Sequence, residues 1–222
     1  MDRKKFLVAS SDGVNVYVAK CGHIKTNTGF IENYVRGEAV LIDAPFGSFD
    51  ASKKILSHGT KVVALLFTHC HWDHIGDGHI FRGLGARTYA HALDRPLIEN
   101  PELMAMLTGI GDELIPCRID VEIADGDCVN VGNWLSIDSR WVPGHAAGDL
   151  AFYIESSSCV FAGDTLFRGG IGRSDLLGGN ELLLIRGIKE KILSLPDGTI
   201  VIPGHGNFST IAREKLHNEF LQ

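Results

Sequence analysis

The densest chemistry in the chain is the string Thr68-His69-Cys70-His71-Trp72-Asp73-His74, which places four metal-capable side chains within six residues. It follows the apolar run Val62-Val63-Ala64-Leu65-Leu66-Phe67, which has the length and β-branched content of a buried strand. Side chains alternate along an extended segment, so His69 and His71 point to one side and can reach one cation, while Cys70 points to the other and packs. Asp73 and His74 fall where the chain turns into a helix predicted over 75–82, aimed differently and able to serve a second cation. An Asp at that place would on its own read as a helix N-cap. Three neighbouring histidines shift Asp73 to ligation.

Three later runs repeat the arrangement of apolar strand, turn and ligand. They are WVPGH ending at His145, VFAGD ending at Asp164 and VIPGH ending at His205. Pro143-Gly144 and Pro203-Gly204 stop strand pairing and turn the chain before His145 and His205, and Ala162-Gly163 turns it before Asp164, so each side chain leaves the sheet at its edge on a rigid support. Alone, His145 or His205 would read as a polar group satisfied in a turn, and Asp164 as a turn former; the repeated context makes them ligands. Asp164 supplies the bridging carboxylate that a two-metal site built from these histidines still lacks. His23, His58, His79, His91 and His217 have no such context and read as surface or packing residues.

Around these residues the pattern predicts strands at 13–20, 30–35, 38–43, 62–67, 87–90, 128–131, 134–142, 151–155, 158–163 and 199–202. Helices are predicted at 49–57, 75–82, 181–194 and 210–220, with a helix-leaning stretch at 92–108. Strands in series, interrupted by helices in both halves, argue for an α/β protein of stacked sheets with helices outside. No linker, repeat or low-complexity segment marks a boundary, so one domain over residues 1–222 is expected.

The 222 residues are 45% hydrophobic and 22% charged, enough to bury roughly 70% of the chain's surface in a real core. The formal net charge of −6 is spread without blocks, which argues against a nucleic-acid partner. Five cysteines without a CxxC suit reduced thiols in a cytoplasmic protein. Nothing reads as a signal peptide or membrane span. Neither a GK[ST] phosphate loop, a GxGxxG nor a GxSxG elbow is present, so nucleotide cofactors and a serine nucleophile are not supported.

The segments THCHWDH, PGHAAGD, FAGDTLFRGGIGRSDLLGGN and PGHGNFSTI together resemble the metallo-β-lactamase superfamily, and within it the short glyoxalase II-like hydrolases. The resemblance spans about residues 25 to 215. It implies a four-layer αββα sandwich in which His69, His71 and His145 hold one metal, Asp73, His74 and His205 a second, and Asp164 bridges them. Asp43, closing the strand Val40-Leu41-Ile42, matches a position that supports the ligands from outside; read alone it is a strand-end turn residue. The nitrogen and oxygen donors suit two Zn²⁺ ions, and also Fe or Mn. His71 stands where the redox di-iron branch carries a carboxylate, which disfavours oxygen reduction.

The expected function is hydrolysis of a small-molecule thioester, of the hydroxyacylglutathione type, by hydroxide shared between two metals, with Asp73 also orienting it. The rivals are a mononuclear-iron persulfide dioxygenase, a lactonase or β-lactamase on the same metals, and a binding module that has lost catalysis. The chain runs only to Gln222 after His205, so the C-terminal helical glutathione-binding domain of two-domain glyoxalase II is not expected. Candidate pocket walls are Leu97 to Leu114, with Met104, Met106 and Leu107, and the loop Leu166 to Gly179. In that loop Arg168 and Arg173 can receive a carboxylate, or Arg173 can close on Asp175.

Overall fold

A computed structural model describes residues 3–11, 13–100, 102, 103, 106, 109 and 114–222, residue 5 by its backbone. The contacts divide the chain into two compact units, Met1–Ala90 with Arg95–Glu122, and His91–Asp94 with Ile123–Gln222.

The first unit is built on a mixed seven-stranded sheet in chain order: β1 (Leu7–Ser11), β2 (Val14–Cys21), β3 (Thr26–Asn33), β4 (Glu38–Ile42), β5 (Lys61–Leu66), β6 (Arg87–Ala90) and β7 (Val121–Glu122). Pairings from β1 to β4 are antiparallel and those from β4 to β7 parallel. Helix α1 (Ser48–Ile55) makes the crossover from β4 to β5, as a parallel pair requires. Ala64, Leu65 and Leu66 at the end of β5 are buried, and Leu65 shares a core with Phe30, Leu41 and Phe67. The strand emerging into the histidine string is therefore clamped on both faces.

β3 begins at Thr26, four residues before the start predicted from the apolar pattern. Its first residues are polar but satisfied: Thr28 Oγ1 donates to the Asp43 carbonyl at 2.6 Å, and Thr26 Oγ1 to Asp73 at 3.3 Å. The helix predicted at 75–82 is two pieces, α2 (Trp72–Ile75) and α3 (Gly78–Gly83). In the 92–108 stretch a 3₁₀ turn (Ala92–Asp94) leads into α4 (Arg95–Glu99). Met106, a candidate pocket wall, is 85% exposed; Met104 and Leu107 lie outside the described residues.

The second unit carries a mixed six-stranded sheet made of β8 (Cys128–Val131), β9 (Leu135–Trp141), β10 (Leu150–Ile154), β11 (Cys159–Gly163), β14 (Ile200–Pro203) and β15 (Ser209–Thr210), in the order β15-β14-β11-β10-β9-β8. β12 (Leu166–Phe167) and β13 (Gly170–Ile171) form a separate hairpin. Helix α5 (Glu181–Gly187) continues as a π-turn through Ile188–Ile192, and α6 (Ile211–His217) follows β15. Asn180 and Thr210 cap α5 and α6 by accepting the Leu183 and Arg213 amides. Among the described residues no helix is long and apolar enough to cross a membrane.

Candidate metal centre

In the first unit His69, Asp73 and His74 are buried and His71 is half-buried. The His69 ring lies 4.6 Å from that of His71 and 4.1 Å from that of His74, centre to centre. Each pair presents ring nitrogens within 4.8 Å of one another. Asp73, the second residue of the short α2, places Oδ2 3.3 Å from His74 Nε2. Cys70 is fully buried and packs in the apolar core.

Asp43 organises this group. It follows β4 with φ +60°, a left-handed backbone that Asp adopts more readily than most residues. Its Oδ1 accepts the Thr68 amide at 2.8 Å, and its Oδ2 accepts the Thr68 hydroxyl at 2.8 Å and lies 2.9 Å from His74 Nδ1. A carboxylate only accepts, so His74 carries its proton on Nδ1 and leaves the Nε2 lone pair for a ligand. The Thr68 hydroxyl proton is directed at Asp43, so the same oxygen accepts from His69 Nδ1 at 3.2 Å, and His69 takes the same tautomer.

In the second unit the sheet topology does the gathering. β11 and β14 are parallel, while β10 is antiparallel to both β9 and β11, so β9, β11 and β14 run the same way. Their C-terminal ends share one edge, and from that edge leave His145, Asp164 and His205. Asp164 Oδ2 lies 3.7 Å from His145 Nε2 and 3.5 Å from His205 Nε2. The Arg173 carbonyl accepts a hydrogen bond from His145 Nδ1 at 2.9 Å, so His145 also presents Nε2. Gly144, before His145, has φ +141°, and a Cβ there would lie 2.5 Å from the Asn180 carbonyl oxygen; only glycine lets the turn approach α5 so closely.

Asp149 went unassigned in the sequence, although it closes the segment PGHAAGD. It is 1% exposed, and its Oδ2 accepts the amides of His145 at 3.0 Å and Ala146 at 2.6 Å. Burial pushes this carboxyl well above the usual range, opposed by the two amides and reinforced by Asp94 and Asp164. Thr26 and Thr68 were likewise unassigned; nothing in residue type separates them from other threonines of a strand or turn. Arg173 closes on Asp175 through two bonds of 2.7 and 2.8 Å, and this guanidinium holds the Asp175 carboxyl down at about 2. On the loop that leaves Arg168, exposed at the β12–β13 turn. His23, His58 and His217 are exposed and His79 and His91 half-buried; none joins a metal-capable group among the described residues.

Residues 22–205 match the Metallo-beta-lactamase superfamily, and the chain belongs to it. Its α/β fold, mixed sheets with helices, is the fold of that superfamily and implies binding of divalent metal ions. Two relatives cover most of the chain. A probable metallo-hydrolase, YqgX of Bacillus subtilis, is 33% identical over 90% of this chain and 94% of its own. The hydroxyacylglutathione hydrolase GloC of Haemophilus influenzae is 34% identical over 82% of this chain and 87% of its own. Among solved structures, the BLEG-1 B3 metallo-beta-lactamase superposes with a TM-score of 0.85 at 31% identity, covering 93% of this chain and 99% of that one.

Proposed function

We propose that the chain is a binuclear metallohydrolase that cleaves a thioester of the hydroxyacylglutathione type, working as one domain over residues 1–222. His69, His71 and His145 would hold one cation and Asp73, His74 and His205 the other, with Asp164 a carboxylate available to both. Zinc is the proposed metal; iron or manganese suits the same donors.

The observation that carries this reading is the outer support of the imidazoles. Nδ1 of His69, His74 and His145 is held by the Thr68 hydroxyl, the Asp43 carboxylate and the Arg173 carbonyl. That arrangement fixes the tautomer and ring direction of a metal-binding histidine. Support for a thioester comes from the likeness to the Haemophilus hydroxyacylglutathione hydrolase.

When bound, two divalent cations polarise the substrate carbonyl and acidify a water toward neutral pH. Asp73, whose Oδ2 is steadied by the Thr26 hydroxyl, accepts a hydrogen bond from the attacking water and orients it. A thiolate leaves readily, so no general acid is assigned. Arg168 is the guanidinium on the loop available to a substrate carboxylate, since Arg173 is engaged by Asp175.

The test is metal analysis of the purified protein together with turnover of S-D-lactoylglutathione, a simple lactone and glutathione persulfide. Two metals per chain, preference for the thioester and activity independent of oxygen are expected. His145→Ala is expected to lower metal content and rate together. One iron with oxygen consumed on the persulfide, or a rate that survives loss of metal in His145→Ala, would refute the proposal.

A further inference from the structure

The four-residue segment His91–Asp94 belongs to the second unit, although the chain on either side of it belongs to the first. Two of its side chains grip the residues flanking His145. The His91 ring stacks on the Trp141 indole, 5.1 Å between centres and 3° from parallel. Trp141 closes β9, and its indole Nε1 donates to the Ala147 carbonyl at 2.9 Å. On the far side of the turn Asp94, 1% exposed, accepts the Gly148 amide through Oδ1 at 2.9 Å. A Cβ at position 148 would lie 2.4 Å from that oxygen, so the glycine is what lets the carboxylate come so close.

Between these two grips lie Asp149's bonds to the His145 and Ala146 amides. Asp149 thus fixes the turn from within, and the 91–94 segment fixes both of its ends. A single buried amide is satisfied by any neutral carbonyl. Asp94 supplies a buried carboxylate oxygen there, on the same turn whose other amides Asp149 holds.

We propose that Asp94 and His91 are positioning residues for His145: carboxylate and ring stack together set the direction in which its Nε2 is presented. This rests on the reading of His145 as a metal ligand. Residues outside a metal's ligands that orient them change its affinity by about 10- to 100-fold when removed. Asp94→Ala is expected to weaken cation binding within that range. Asp94→Asn, which retains an amide oxygen in place of Oδ1, is expected to stay within about threefold of wild type, and His91→Ala to weaken binding about two- to tenfold.

The experiment measures Zn²⁺ affinity of the full chain by chelator competition, with thermal unfolding of the metal-free protein alongside. Ile192→Val, in the core of the second unit, serves as a control that lowers stability without touching the turn. Weakened binding in Asp94→Ala, recovery in Asp94→Asn and unchanged affinity in Ile192→Val support the inference. Wild-type affinity in Asp94→Ala, or an equal loss in Ile192→Val at matched stability, overturns it. Should Asp94→Ala fail to fold, His91→Ala at its half-buried position decides, and unchanged affinity there overturns the proposal. His145→Ala separates the two readings. If it binds zinc like wild type, the ligand assignment falls and the inference with it; if it binds poorly while Asp94→Ala does not, only the inference falls.

Discussion

Replacing Asp43 by Asn changes one atom's hydrogen-bonding sense and, by the geometry around it, reverses two histidines. Asn tolerates the φ of +60° at this position, so the fold is expected to persist. The amide oxygen can still accept the Thr68 N–H now bound at 2.8 Å. The amide nitrogen then stands where Oδ2 accepts from the Thr68 hydroxyl and His74 Nδ1, and it can only donate. His74 must turn its Nδ1 lone pair to the amide and carry its proton on Nε2, where Asp73 Oδ2 waits 3.3 Å away to receive it. The Thr68 hydroxyl, displaced from its acceptor, finds His69 Nδ1 at 3.2 Å and donates to it, so His69 reverses as well. Two nitrogens proposed to bind metal would then carry protons. The expected loss of cation affinity is at least the tenfold to hundredfold typical of an outer partner, about 1.4–2.7 kcal/mol. The metal-free protein should lose only about 1–2 kcal/mol, as a charge-assisted bond becomes a neutral one. Chelator competition measures the first quantity, denaturant unfolding the second, and long-range ¹⁵N–¹H NMR of the imidazoles reads the tautomers. Wild-type affinity, or His74 still protonated on Nδ1, would refute the reasoning.

Two further outcomes follow from buried groups elsewhere. Burial alone would raise the pKa of Glu214, but bonds from Ser209, the Gly169 amide, Arg213 and Asn218 hold it below the ordinary value of 4.5. Its contribution to stability is therefore present above pH 4.5 and lost as pH falls through the lower folded value. Glu214→Gln should flatten that acid limb in urea titrations from pH 6 to 3 and cost about 1–3 kcal/mol at neutral pH; an unchanged acid limb would count against the network. Burial pushes the thiols of Cys21 and Cys117 up to about 11 and that of Cys159 to about 12, Cys70 is fully buried, and Cys128 is exposed. A disulfide reagent at pH 8 should titrate one thiol in the native protein and five after unfolding, with the fast thiol lost in Cys128→Ser.

The parts of the fold legible in the sequence are those where one face or both are apolar. The strand predicted at 62–67 is found at Lys61–Leu66, and those at 87–90 and 128–131 sit where the pattern places them, because burial decides such segments. β3's polar start was not legible, since Thr26, Asn27 and Thr28 are buried by partners distant in sequence, and alternation carries no record of them. The hairpin β12–β13 hides for another reason: two-residue strands beside Gly169 and Gly170 are too short for any period. Each of the four predicted strand-end departures is found, with β5, β9, β11 and β14 ending between one and four residues before His69, His145, Asp164 and His205.

What the sequence carries least well is the layer behind the proposed ligands, and the reason is physical. A metal-capable side chain at a strand end advertises itself by type, because a histidine after Pro-Gly contributes little to packing. The groups behind it, Asp43, Thr68 and Asp94, are common residues whose role lies in which amide or ring nitrogen they meet across separations of 25, 31 or 54 positions, and Asp149 shows its role only once the turn folds its carboxylate onto the amides of His145 and Ala146. Only Asp43 was readable, through the resemblance of its strand end. The Arg173 carbonyl that orients His145 is beyond any reading by residue type, since every residue has one; its place is set by the Arg173–Asp175 loop and by the path that Gly172 allows close to the Asp164 carbonyl. The proposed site is specified twice, once by candidate ligands that are local in sequence and once by an outer set of oxygens that only the folded sheets bring to the ring nitrogens. Substitutions in that outer set should therefore alter affinity and tautomer while leaving every proposed ligand in the chain unchanged.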